Sequence, residues 1–246
     1  MDTFPGVHEI TVEALYDEMR EGGPLFILDV RNEDEFASWR IEGLHPIATV
    51  NVPYFAFLED ETGSLAKVPR EGTVTVVCAK GGSSAFVAAM LTQEGIRARN
   101  LQGGILAWGD LYVATSVSPP RAPRTIFLQV NRLGKRCLSY FIASDGAALV
   151  VDPTRHIAWY TSLAEQHHAR MTRVIDTHLH ADHLSGGPAL ARLLGIPYHI
   201  RLDDAWGAEF APASLEDGTR LPLGASIVEV LAMHTPGHTP GSTSLL

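Results

Sequence analysis

Cysteine is scarce in this chain, with only Cys78 and Cys137, and the two fall in different predicted domains. That excludes a disulfide framework and suits a reducing compartment. Missing as well is any apolar run approaching the ~18 residues a membrane-spanning helix needs. The first residues, MDTFPGVHEI, lack the positive-then-apolar order of a secretion signal. A cytoplasmic protein with no membrane partner is therefore expected. Positive charge is in deficit, since 19 Lys and Arg against 28 Asp and Glu leave a formal net charge of −9. Without a basic stripe to follow a phosphate backbone, nucleic acid is disfavoured as a partner and small-molecule substrates are favoured. Low-complexity tracts and internal repeats are absent too.

What remains is the composition of a soluble globular α/β protein, with 46% hydrophobic residues, 22 glycines and 15 prolines. A length of 246 residues is more than one ordinary core requires and suits two domains. From 11 to 111 short apolar runs alternate with helical patterns. Thr11 is placed to cap a helix carrying Val12, Leu15 and Met19 at a 3.6 period and ending at Gly22 and Gly23. LFILD (25–29) and VTVVC (74–78) read as buried strands, Asn32 with Glu35 as a capping box, and 83–95 as a helix closed by Gly95. Alternation of this kind implies a mainly parallel sheet. The proline-rich stretch VATSVSPPRAP (113–123) reads as a semi-rigid linker. Beyond it come paired strands, IFLQV and CLSYFIAS, with Asp145 and Gly146 as a hairpin turn before AALVVD. A helix near 156–169, the strand RVIDTH, a helix from Gly187 to Leu194 and the strand SIVEVLA (226–232) follow. The expected division is 1–112, a linker at 113–123, and 124–246.

Two stretches carry chemistry. Cys78 ends a buried strand and precedes the loop AKGGS and a helix starting near Ser83. Several backbone N–H groups and a helix dipole would then face its sulfur, which favours a thiolate and cradles an anion. A buried cysteine acting as a small hydrophobe is the alternative, and the residues alone leave both open. The second stretch is DTHLHADH, where His178, His180, Asp182 and His183 leave the carboxyl end of a strand. Imidazole and carboxylate donors at this spacing point to a metal such as Zn(II) or Fe(II). His8, His45, His156, His167, His168 and His199 have no ligand-like spacing and read as surface residues.

CAKGGSSA, with LDVRNEDEF before it and LQGGILAW after it, resembles the rhodanese family of sulfurtransferases over roughly the first 112 residues. The resemblance implies that Cys78 is the sulfur-accepting nucleophile and that Ala79, Lys80, Gly81, Gly82 and Ser83 form the cradle for an anionic donor. Many family members carry arginine where this chain has Ser83. Asp29 and Arg31 look structural in that family. THLHADH, with MHTPGHTPGSTS downstream, resembles the metallo-β-lactamase superfamily, and within it the glyoxalase II and persulfide dioxygenase branch. This implies a metal site of His178, His180, Asp182, His183 and His238, with His234 in a subordinate role. It also implies an αββα sandwich of which only part is present. Hydrolases of the branch use two zinc ions, whereas its dioxygenases hold one Fe(II) with two histidines and an aspartate. Small-molecule sulfur donors and thiols are the partners implied. Family members continue past the position of Leu246 with further ligands, so the resemblance implies a truncated second domain, weak metal chemistry, and an exposed sheet face open to self-association.

Overall fold

The structure, a computed structural model, describes residues 6–43, 45–118, 124–225 and 229–246. The chain divides into two compact units, 1–111 with 133–135, and 112–132 with 136–246.

The first unit runs β1 (His8–Ile10), α1 (Val12–Glu21), β2 (Phe26–Asp29), α2 (Glu33–Ser38), β3 (Ala48–Asn51), α3 (Tyr54–Glu59), α4 (Glu61–Leu65), β4 (Val74–Val77), α5 (Gly82–Gln93), β5 (Ala98–Leu101) and α6 (Gly104–Gly109). Thr11 caps α1 by accepting from the Ala14 amide, and Gly22 ends it in the left-handed conformation. Its buried stripe is Val12, Leu15 and Met19, and full burial of a leucine stabilises the fold by about 2 kcal/mol. The Asn32 and Glu35 capping box is present at α2. Five strands pair in parallel in the order β1-β5-β4-β2-β3. β4 is therefore central and buried along its whole length. Val74, Val76, Val87, Leu91 and Phe57 anchor the core around it.

The second unit runs β6 (Tyr112–Ser116), β7 (Ile126–Arg132), β8 (Cys137–Ser144), β9 (Ala147–Val151), α7 (Ile157–Gln166), β10 (Arg170–Ile175), α8 (Gly187–Leu194), β11 (Tyr198–Ile200), β12 (Ala213–Ser214), β13 (Arg220–Pro222), β14 (Glu229–His234) and β15 (Thr243–Leu245). A seven-stranded sheet has the order β12-β11-β10-β9-β8-β7-β6 and is parallel from β9 to β12. Asp145 and Gly146, with φ of 51° and 74°, form the tight turn between β8 and β9. One face packs on α7 and α8 through Tyr160, Leu163, Leu190 and Ala191.

Three sequence expectations need correction. The opposite face of the large sheet is covered, because Leu149, Val151 and Ile175 pack against Leu221, Leu223, Val230 and Ala232 of the β13-β14-β15 layer. Residues 113–116, read as linker, are strand: β6 pairs antiparallel with β7 across five positions. The remaining linker prolines at 119, 120 and 123, like the first three residues of the expected strand at 226–232, lie outside the described residues. His199, read as a surface residue, is buried in β11. Helices α and strands β in these proportions make a parallel sheet flanked by helices, followed by an α-β-β layered unit.

Candidate functional site

Cys78 sits where the central strand β4 gives way to α5, and it is 6% exposed. Its sulfur receives two hydrogen bonds, from the Gly81 amide and from the Ser84 hydroxyl, each at 3.1 Å. Gly81 holds φ at 93°, a left-handed turn that glycine adopts without strain and that swings its N–H back toward the sulfur. The carbonyl of Gly81 is tied down by the Asn100 side-chain amide at 3.0 Å. From the other side, the Ile105 and Leu106 amides at the start of α6 donate to the carbonyls of Cys78 and Ala79. Gly104 permits that approach, since a Cβ there would collide with the Cys78 carbonyl.

The expected cradle of Ala79 to Ser83 is thus only partly engaged in contacts to the sulfur. Gly81 supplies the amide, while Lys80, Gly82 and Ser83 lie exposed around the opening and Ala79 is half-buried. Ser84 was missed because it lies beyond the loop, in the first turn of α5, where sequence alone reads it as helix. Its fully buried hydroxyl in an otherwise apolar row is the signal that marks it. Asp29 and Arg31 form a buried ion pair at 2.7 Å, and Arg31 also binds the carbonyls of Glu35 and Trp39. That is a tether for the loop after β2.

In the second unit the histidine stretch leaves the end of β10, beside the carboxyl end of the parallel strand β9. Ring centroids of His178 and His180 are 4.1 Å apart, those of His180 and His183 4.2 Å, and those of His178 and His238 5.0 Å. The structure therefore gathers all four predicted histidines. Asp182 is mostly solvent-exposed, with Oδ1 3.2 Å from His183 Nδ1. His234 instead donates from Nε2 to the Pro240 carbonyl at 2.9 Å, within its own loop.

Residues absent from the sequence expectation organise the cluster. Asp152, at the end of β9, accepts from the Thr177 amide and hydroxyl at 2.7 and 2.8 Å, and from His180 Nε2 at 3.1 Å. Because the Thr177 hydroxyl donates to Asp152, its oxygen accepts from His178 Nδ1 at 2.9 Å. That network leaves His178 Nε2 and His180 Nδ1 as the lone-pair nitrogens. Burial, then the neighbouring His180, lowers the pKa of His178. Burial is the largest single influence on His180 and opposes its charge, but the hydrogen bond and charge of Asp152, with the nearby Asp176 and Asp182 carboxylates, together outweigh it and its pKa is raised. Asp176 is buried among these groups, which pushes its pKa up to about 7, and it accepts from the Tyr198 hydroxyl at 2.9 Å.

Asp204 ties the two histidine loops together. Its carboxylate accepts from the Leu179 amide, the Thr239 hydroxyl and the Gly241 amide at 2.9, 2.5 and 2.7 Å. The donor set fits a divalent cation. Three histidines have one ring nitrogen engaged by an acceptor, and His183 Nε2 is a buried polar atom without a hydrogen-bond partner. Such an orphan is costly unless something coordinates it.

A thiol loop at the tip of a parallel sheet and a histidine cluster at the edge of a layered sheet pair define a two-domain α/β protein with two separate sites. Residues 11–111 match the family model of the rhodanese-like domain, and residues 133–246 match that of the metallo-beta-lactamase superfamily. The chain is a rhodanese-like domain followed by a metallo-beta-lactamase superfamily domain. Hydroxyacylglutathione hydrolase of Anaeromyxobacter dehalogenans is 38% identical over 116 residues, covering 47% of this chain and 44% of that protein. A sulfurtransferase of Allochromatium vinosum is 27% identical over 42% of this chain and 88% of its own length. The crystal structure of ETHE1 from Myxococcus xanthus aligns with a TM-score of 0.45 at 26% identity, over 49% of this chain and 53% of that one. The chain spans less than half the length of the hydroxyacylglutathione hydrolases it matches. Among the described residues no helix is long and apolar enough to cross a membrane.

Proposed function

We propose that this chain is an enzyme of sulfur metabolism in which Cys78 carries sulfane sulfur from thiosulfate or a low-molecular-weight persulfide to a thiol acceptor. The observation that carries the reading is the pair of donors on the Cys78 sulfur, Gly81 N–H and Ser84 O–H. Both favour a charged sulfur, and after transfer both can hold the terminal sulfur of a persulfide. With thiosulfate, the Cys78 thiolate attacks the outer sulfur, the sulfur–sulfur bond breaks, and sulfite leaves with the electron pair. An acceptor thiolate then attacks the same sulfur and returns Cys78 to its thiolate. Exposed Lys80 at the opening attracts the anionic donor.

For the second domain we infer that His178, His180, Asp182, His183 and His238 are the ligands of a divalent metal site with one or two cation positions. Bound there, Fe(II) would supply chemistry in which a persulfide, O2 and water give a thiol and sulfite, with O2 as the oxidant, whereas zinc would supply Lewis acidity for hydrolysis. In either form Asp152 and Thr177 fix the ring orientation of His180 and His178, and Asp204 sets the spacing of the two loops. The persulfide dioxygenase reading is supported by the fusion, since Cys78 makes or consumes the sulfane sulfur such a site would oxidise. The similarity to hydroxyacylglutathione hydrolases favours a second reading, a zinc thioesterase with an accessory sulfur-carrier module. Metal analysis of the full chain separates them, combined with oxygen uptake on a low-molecular-weight persulfide and hydrolysis of a glutathione thioester. Steady turnover of thiosulfate with cyanide, lost in Cys78→Ser, is expected of the transferase. A single burst without turnover would leave only a carrier.

A further inference from the structure

The second cysteine has no part in the sulfur-transfer reading. Cys137 opens β8, is 4% exposed, and is outside any disulfide. Its sulfur, a carboxylate oxygen of Asp182 and a ring nitrogen of His183 all lie within 4.8 Å of one another. The His183 side chain is 8% exposed, and its Nε2 is a buried atom with no hydrogen-bond partner. Asp182, by contrast, is 73% exposed at the side chain and gives the group an opening to solvent. A thiol, an imidazole and a carboxylate at this separation match the donor set of zinc-like cations, and thiolate selects against hard ions such as magnesium and calcium.

We propose that Cys137, Asp182 and His183 form a cation position of their own, with Cys137 as its thiolate ligand. The cluster then divides into an imidazole group of His178, His180 and His238 and a mixed group that a strand outside the histidine loops completes. The cation taken is a thiophilic divalent ion of the zinc, cobalt and cadmium class. On binding, the Cys137 thiol gives its proton to solvent and the sulfur donates an electron pair to the cation, with no change of oxidation state. The inference rests on the reading of the histidine stretch as a metal site. A soft ligand at this position favours a zinc-like ion there and leaves the imidazole group of His178, His180 and His238 as the position for the Fe(II) of the dioxygenase reading.

Anaerobic titration of the full chain with Co(II) alone tests it, because visible ligand-field bands report binding and a near-ultraviolet band reports a sulfur-to-cobalt bond. We expect both bands, and loss of the near-ultraviolet band in Cys137→Ser with the visible bands retained. Cys78→Ser is the variant that keeps the test independent of how Cys137→Ser folds, since it leaves Cys137 as the single thiol. The near-ultraviolet band must persist in it. Visible bands without any sulfur band in Cys78→Ser would overturn the role of Cys137 while sparing the histidine site. Absence of all cobalt bands would overturn both.

Discussion

At the scale of residues, the sulfur site depends on a few atoms whose removal has separable effects. Cys78→Ser removes the nucleophile, and thiosulfate turnover should fall to background while the far-ultraviolet circular dichroism stays unchanged. Ser84→Ala keeps the nucleophile but deletes a donor to a charged sulfur, an interaction worth about 1.5–3 kcal/mol. Turnover should fall on the order of ten- to a hundredfold, with Cys78 still able to accept sulfur, and Ser84→Thr should restore much of it. An undiminished rate in Ser84→Ala would mean that the hydroxyl is packing only. Gly104→Ala drives a methyl group into the Cys78 carbonyl at a residue whose φ is 61°. Backbone cannot yield as a side chain can, so chemical denaturation should report a loss of ~3 kcal/mol. A neutral result would contradict the close approach of α6 to the cysteine loop.

Elements bring together what the residue spacing hides. The strongest case is Asp204, in the short turn after β11, which receives donors from both histidine loops. Asp204→Ala leaves those donors unpaired in a site where the residue is 6% exposed, a cost on the order of 2–3 kcal/mol. A lower melting temperature and at least tenfold weaker Co(II) binding are expected, the latter because His238 is no longer held against His178. Unchanged cobalt affinity would show that the loops keep their spacing without it. Legibility in the sequence follows the same division. Local signals were readable: the Thr11 cap and its 3.6-period stripe, the Asn32 and Glu35 box, the Asp145-Gly146 turn, Cys78 at a strand end, and the histidine stretch. Elements defined by their partners were not. β1 is three residues with only Ile10 buried, β6 is mostly exposed, and both exist because a neighbouring strand pairs with them. Likewise Asp152 and Thr177 are 25 positions apart, and Ser84 looks like ordinary helix until the sulfur is placed beside it. No local pattern encodes contacts of that range.

Across the whole molecule the two units have separate cores, one around β4 and the other on the two faces of the seven-stranded sheet. Sulfur transfer should therefore be indifferent to metal. Treating the full chain with a chelator is expected to leave thiosulfate turnover unchanged while removing any metal-dependent oxygen uptake or thioester hydrolysis. Parallel loss of both activities would contradict independent sites. The face of the seven-stranded sheet opposite α7 and α8 is packed against the β13-β14-β15 layer. Sulfur transfer through this chain requires that Cys78 store a sulfur atom. Intact-mass analysis of the full chain after exposure to thiosulfate, with peptide mapping, tests it most directly. A gain of one sulfur atom on Cys78 is expected, reversed by a small thiol and absent in Cys78→Ser; no gain, or a gain confined to Cys137, would contradict the storage of sulfur there.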